Sequence, residues 1–229
     1  MTDPKPLLGD AARNSAFGAV TPGEAPSAPA LLKAMGGVRG LVESILPGLG
    51  FLVTYTITQQ LLVSVLVPLA IAVVFVAIRL VTRSPYTSAV AGVLGIALSA
   101  GLSLLTGRAE DNFVLGFLIN GAFLLALVVS ILVRRPLIGV IASLITSDGG
   151  EYLKDRAKYR VVLIATILWS GLFALRLGVE LPLYFAGNTS ALAALKLILG
   201  VPLYAGMLWV TWLLTRTVYA RPDTPADAG

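Results

Sequence analysis

The chain has 229 residues, 57% of them hydrophobic and 13% charged, with a mean hydropathy of +0.88. Soluble domains carry about 25% charged residues, so this chain lacks the side chains to coat a globule with a water-facing surface. Its net charge of +5 then reads as membrane-flanking anchors and not as a nucleic-acid footprint, while the absence of cysteine and histidine excludes disulfides, thiol chemistry, imidazole acid–base catalysis, haem and most zinc sites.

Residues 1–29 hold Pro4, Pro6, Pro22, Pro26 and Pro29 among Ala, Ser, Gly and Asp, and a disordered tail is expected there. They lack the charged-then-apolar pattern of a signal peptide, so insertion is expected to use the internal spans. A transmembrane domain is expected over residues 30–216. Leu31, Leu32, Met35, Val38, Val42, Ile45 and Leu46 recur at helical spacing with Lys33, Arg39 and Glu43 between them, which predicts an amphipathic helix on the inner membrane surface. Pro47 and Gly48 bend the chain. The first span, about 41–58, either begins at Leu41 and includes that bend or begins near Pro47 and is short.

The second span is 61–81, joined to the first by Thr58-Gln59-Gln60 as an antiparallel hairpin. Arg79 lies one turn from its inner end and can snorkel to the headgroups, and Arg83 follows. Glu43 is placed to pair with Arg79 or Arg83 in a structural role. The third span, 86–105, carries Gly92, Gly95 and Gly101 with Ala89, Ala91, Ala97 and Ala100. Such a thin face predicts a central helix packed closely on both sides. Its GVLG stretch, Gly92 to Gly95, is not a phosphate loop, because no Lys-Ser/Thr follows.

The fourth span, 113–133, is the clearest. It has no charged residue, with Glu110 and Asp111 before it and Arg134, Arg135 and Pro136 after it. Basic residues are retained on the cytoplasmic side, so the Arg135 end is inside, and every other segment is oriented from this one. Arg79, Arg83, Arg134 and Arg135 are the inner-membrane anchors. Asn120 is expected to hydrogen-bond to a neighbouring helix. The acidic pair Glu110-Asp111 reads as an ordinary outer loop, since two carboxylates alone make a poor calcium site. Leu137 to Thr146 is too short to cross and reads as an interfacial or re-entrant segment. Glu151 to Arg160 is a basic cytoplasmic loop, helical by composition.

The fifth span, 161–186, is expected to kink or re-enter around Pro182, and Gly187-Asn188 turns the chain. The sixth span, 191–214, returns inward, and residues 217–229 form a mobile tail. LGVELPLYFAG in the fifth span is echoed by LGVPLYAG in the sixth. The echo is a trace of internal repetition or two helices ending under the same rules. Arg176 and Glu180, four apart, share a helix face, and Lys196 is expected at similar depth. Ionisable groups inside spans are costly and usually face the interior or a wet cavity. The three residues form either a pocket for an ion or anionic headgroup, open to the outside, or a structural clasp. Glu180 is expected within reach of both Arg176 and Lys196.

The pair Glu110-Asp111 followed by Phe113, the run Arg134-Arg135-Pro136-Leu137-Ile138, Trp169 and Lys196 together resemble the intracellular septation protein A family and its actinobacterial relatives, over roughly Thr54 to Arg216. The lysines which that family carries at the start of the fourth span are replaced here by Leu115 and Phe117. The resemblance implies a small multi-pass inner-membrane protein of envelope maintenance and division, without catalysis.

The expectation is therefore an all-α polytopic membrane bundle of six transmembrane helices, with a cytoplasmic-side amphipathic helix, both termini cytoplasmic, in the plasma membrane. No catalytic residue, metal or cofactor is expected. The function is a non-enzymatic scaffold or, alternatively, a small transporter or channel with an outward-facing anion-binding pocket. The partners are the lipid bilayer and either other membrane proteins or anionic lipid headgroups, and not nucleic acid.

Overall fold

The computed structural model describes residues 37–83, 87–146 and 150–219. The expected tail over 1–29, the start of the amphipathic stretch up to Gly36 and nearly all of the 217–229 tail lie outside the described residues. Within them the chain is an all-α polytopic helix bundle: α1 (Gly37–Thr58), α2 (Leu61–Val81), α3 (Thr87–Thr106), α4 (Val114–Leu132), α5 (Leu137–Thr146), α6 (Arg156–Phe185), α7 (Thr189–Ile198) and α8 (Val201–Tyr219), with short 3-10 turns at Ala109–Phe113 and Glu151–Leu153. Six helical stretches are long and apolar enough to cross a membrane, the sixth being α7 and α8 taken together. Leu62, Val81, Leu98, Leu105, Leu118, Leu132 and Phe185 stay largely uncovered on their surfaces. In water such a surface would aggregate, and in lipid it is the expected exterior.

The described residues divide into two compact units, one of 39–124 with 171–205 and the other of 125–170 with 206–219, together with Gly37 and Val38. In the first unit Phe51, Val65, Ala100, Phe113, Phe117, Leu192 and Ala193 form the buried core. Phe51 stacks with Tyr55 and meets Phe113 edge-on at 5.4 Å. In the second unit Pro136 is buried and Ser130 organises the turn after α4: its hydroxyl donates to the Leu127 carbonyl at 2.6 Å and accepts the Leu137 amide at 3.0 Å. Thr166 and Val162 of α6 are fully buried, and the Trp169 indole donates to Thr211 of α8 at 2.9 Å.

Local chemistry explains where the elements stop. α1 runs unbroken through Pro47, which is buried, so residues 37–46 are the first turns of the spanning helix and not a separate surface helix. Gln59, with φ of 51°, closes it in the left-handed conformation, and Arg83 (50°) and Arg134 (58°) do the same after α2 and α4. Two of the expected anchors are thus also helix terminators. α6 continues as a helix through Pro182 to Phe185, so the expected break there is absent. The loop expected to be helical from Glu151 is instead a 3-10 turn. α6 begins only at Arg156, where the Asp155 carboxylate accepts the Ala157 amide at 2.7 Å.

The sixth span is two helices. α7 starts on Asn188, whose side chain accepts the Ala191 amide, and ends at Leu199-Gly200. Pro202 falls in the first turn of α8, where its missing N–H has no helical partner to lose. The two echoed segments therefore play different parts: the Pro-Leu-Tyr of the fifth span sits inside the end of a helix, while that of the sixth begins one.

The thin face of α3 also does something other than expected. A Cβ placed on Gly92, Gly95 or Gly101 would meet nothing within 4 Å. These glycines admit no neighbouring backbone. The close approaches are at Gly48, 2.9 Å from the Leu197 side chain, at Gly50, 2.9 Å from Ile71, and at Gly139, 2.7 Å from the Tyr152 ring. Shape, and not residue count, decides which small residues pack: Gly92 and Gly95 stand over a cavity.

Candidate functional site

The cavity lies within the unit of residues 39–124 and 171–205 and measures about 540 Å³. α3 presents Gly92, Gly95, Ile96 and Ser99 to it, which is the i, i+3, i+4, i+7 stripe of one helix face. α1 contributes Glu43, Ser44 and Phe51, α2 contributes Val65 and Pro68, and α4 contributes Leu115 and Gly116. The walls are mostly apolar. Its charged groups are Glu43, Arg176 and Lys196.

Arg176 and Glu180 sit one turn apart on α6, 6% and 2% exposed, with Arg176 Nη2 donating to Glu180 Oε1 at 3.3 Å. The Arg176 guanidinium also lies 5.3 Å from the Tyr204 ring centroid, a cation–π contact. Its Nε is buried and makes no hydrogen bond. An unpaired buried donor of this kind is uncommon and costs about 1–3 kcal/mol.

Lys196 occupies the last turn of α7, where the exposed carbonyls at the helix end favour a cation. Its ammonium lies 4.7 Å from the Phe113 ring centroid, and a Cβ on Gly116 would be 3.5 Å from Nζ. Among the described residues Lys196 makes no salt bridge; Glu180 pairs with Arg176 alone. The expected three-way cluster is thus half right. Arg176 and Glu180 form their pair, and Lys196 comes to the same cavity, where it rests on an aromatic face and meets the Glu180 charge at longer range without a salt bridge. The helix break after Ile198 sets that direction, since Lys196 belongs to the closing turn of a short helix and not to the middle of a long one.

Two further polar groups frame this unit. Glu43 accepts hydrogen bonds from Arg39 Nε at 2.8 Å and from Arg79 Nε at 2.8 Å, and Arg79 adds a second contact through Nη2. Arg79, expected as a headgroup anchor, is tied to α1 by this pair, with its side chain 16% exposed. At the other loop cluster Arg108 pairs with Glu110 at 2.9 Å, and Tyr184 donates to Asp111 at 2.6 Å. Asp111 therefore fastens the 3-10 turn to the end of α6, while Glu110 accepts from Thr189 at the start of α7 at 3.5 Å. Asn120 is buried, and among the described residues its side chain makes no hydrogen bond to a neighbouring helix.

Sequence reasoning found Arg176, Glu180 and Lys196 because ionisable residues stand out in apolar spans. It missed Phe113, Tyr204 and the Gly92-Gly95-Ser99 stripe as parts of the same site. The available signal for the stripe was its single-face spacing, read as packing. Nothing in the spacing placed Phe113 under Lys196.

No curated protein and no solved structure matches the chain significantly. Residues 35–222, most of the chain, match the profile of the family described as protein of unknown function (DUF3159), and the chain belongs to that family.

Proposed function

We propose that this protein is a small, non-enzymatic multi-pass transporter of the plasma membrane whose cavity binds an anion. One observation carries the reading: Lys196 brings an ammonium to a half-open cavity of about 540 Å³ and, among the described residues, makes no salt bridge there, beside an Arg176–Glu180 pair that is already balanced. A cation in low dielectric is costly, and a bound anion relieves that cost. The volume falls in the range of small-molecule sites, roughly 300–1,000 Å³. A bundle built only to clasp its helices would gain nothing from leaving such a void, because voids forfeit packing. The Lys/Arg distribution supports cytoplasmic termini, which puts the Glu43 end of the cavity towards the cytoplasm and its Phe113 and Lys196 end towards the opposite face.

The test uses the absence of native cysteine. Ser99 lines the cavity, and Ser99→Cys is close to isosteric. A small anionic methanethiosulfonate reagent should modify it several-fold faster than a cationic one of the same size, and Lys196→Met should remove that preference. Equal rates for both reagents in the Ser99→Cys protein would sink the anion reading.

The resemblance to intracellular septation protein A supports a second reading, a scaffold in envelope maintenance or division. Its residues include Arg134 and Arg135, both exposed around the buried Pro136, a basic corner able to meet a partner protein or anionic headgroups. Mild crosslinking followed by purification tests it. Partners lost on replacing both arginines by Gln would support the scaffold; an unchanged partner set would not.

A further inference from the structure

This inference rests on the anion-binding reading of the cavity and names the class of ligand. We propose that the site takes a single-chain amphiphile with a singly charged head, a long-chain carboxylate, with the head at Lys196 and Arg176 and the chain along the small-residue stripe of α3.

Charge fixes the head. Arg176 and Glu180 neutralise each other, and Glu43 is held by Arg39 and Arg79. Lys196 therefore supplies the net charge at the Arg176 end of the cavity, while the surplus charge of the two arginines on Glu43 lies at the other end, beside the exposed Arg39. One negative charge brings that end to neutrality, whereas a doubly charged phosphate monoester leaves an excess negative charge in a poorly solvated place. Donor count agrees. An ammonium offers three N–H groups, and among the described residues Lys196 rests on the face of Phe113 and makes no hydrogen bond or salt bridge, Glu180 acting on it only at longer range. Arg176 Nε adds a buried donor with no acceptor. Both residues line the same cavity, and a carboxylate has two oxygens to satisfy them.

Shape and lining fix the tail. The cavity is far larger than a bare anion and its walls are mainly hydrocarbon. Phe51 touches Phe113, on which Lys196 rests, and the cavity extends along α1 from Phe51 to Glu43. That is a little over two turns of helix, about 12 Å. On α3, Gly92 and Gly95 leave the space that side chains would fill. A cavity of this length with one charged wall suits a chain with a polar end. At its limit Glu43 offers no free negative charge to repel the ligand, because two arginines hold it.

The experiment measures protection of the Ser99→Cys thiol from the anionic reagent in the full chain, held in detergent micelles below the concentration at which the added ligands form micelles. Dodecanoate should slow modification by at least about tenfold, dodecyl phosphate held as the dianion by less, and acetate, inorganic phosphate and dodecyltrimethylammonium not at all. Lys196→Met should abolish protection by dodecanoate. Should that variant fail to fold, Gly95→Leu serves instead: it fills the stripe without touching the charges, so it should abolish protection while the preference for the anionic reagent persists. If the introduced thiol reacts with neither reagent, the cavity reading itself fails. If it prefers the anionic reagent but acetate or inorganic phosphate protects as well as dodecanoate, the pocket stands and the amphiphile inference is overturned. Equal protection by dodecyltrimethylammonium overturns it too, since it shows that any surfactant fills the space. Equal protection by dianionic dodecyl phosphate overturns the assignment of a singly charged head.

Discussion

At the scale of single residues, the molecule separates groups that pair from groups left waiting. Glu180 is nearly inaccessible and has Arg176 as its partner. Removing one member of a buried pair leaves the other charge stranded, which costs about 3–5 kcal/mol in proteins. Glu180→Gln should therefore lower the thermal unfolding midpoint clearly. It should also make the cavity doubly positive, so that in the Ser99→Cys background dianionic dodecyl phosphate now protects the thiol at least as well as dodecanoate. A destabilised variant with the ligand order unchanged would show that Glu180 plays no part in setting the charge of the site. Gly139 is a different case. A Cβ there would lie 2.7 Å from the Tyr152 ring and 2.9 Å from Val162, which is fully buried. Neither is the free end of a flexible chain, so Gly139→Ala should cost about 1–3 kcal/mol by overpacking. A midpoint unchanged by that substitution would mean the neighbourhood yields easily.

At the scale of elements, most spans were legible because length and hydropathy suffice to find them: α2 matches its expected limits, and α3 and α4 differ from theirs by a residue. Breaks were harder, because a proline has opposite meanings at different helix positions. Pro47 and Pro182 lie inside continuous helices, where neighbouring packing tolerates the lost hydrogen bond. Pro202, two residues after Gly200, marks a true restart, and Gly followed shortly by Pro is the sequence signal for a helix stop. That break matters for the site, since it makes Lys196 the end of α7. A Cβ on Gly200 would lie 2.7 Å from the Lys196 carbonyl oxygen and 3.3 Å from that of Leu197, both backbone atoms that cannot swing aside. Gly200→Ala should therefore shift the α7–α8 joint and weaken the anionic preference of the Ser99→Cys thiol, while a substitution at the uncrowded Gly206 should leave it intact. Equal preference in the Gly200 variant and the parent would show that the break does not aim Lys196. The glycine stripe of α3 was misread for a related reason. Small residues at helical spacing permit a close neighbour or a void, and only the surrounding helices decide which.

At the scale of the whole molecule, sidedness follows from charge. Arg79, Arg83, Arg134, Arg135, Lys154, Arg156, Lys158, Arg160 and Arg216 fall at the ends or loops assigned to one side, against Arg108 in the loops of the other. That bias predicts cytoplasmic termini. Single cysteines test it segment by segment, at positions whose side chains are exposed: Gln60 and Ala186 on the proposed outer side, Thr82 and Lys154 on the inner. In intact cells an impermeant thiol reagent should label Gln60→Cys and Ala186→Cys and spare the other two. The pair Thr82 and Lys154 also decides the status of α5. Its 10 residues rise about 15 Å, half the roughly 30 Å hydrocarbon core, so it should not cross. With α5 confined to one side, the Thr82 and Lys154 positions share a compartment and are silent together. If α5 crossed, the chain would have seven spans, Lys154→Cys would label while Thr82→Cys stayed silent, and the Ala186 position would fall silent with it. Reversed labelling of all four would overturn the orientation and leave the fold untouched. It would also turn the Lys196 end of the cavity towards the cytoplasm, so that the charged head of the amphiphile would lie on the inner side.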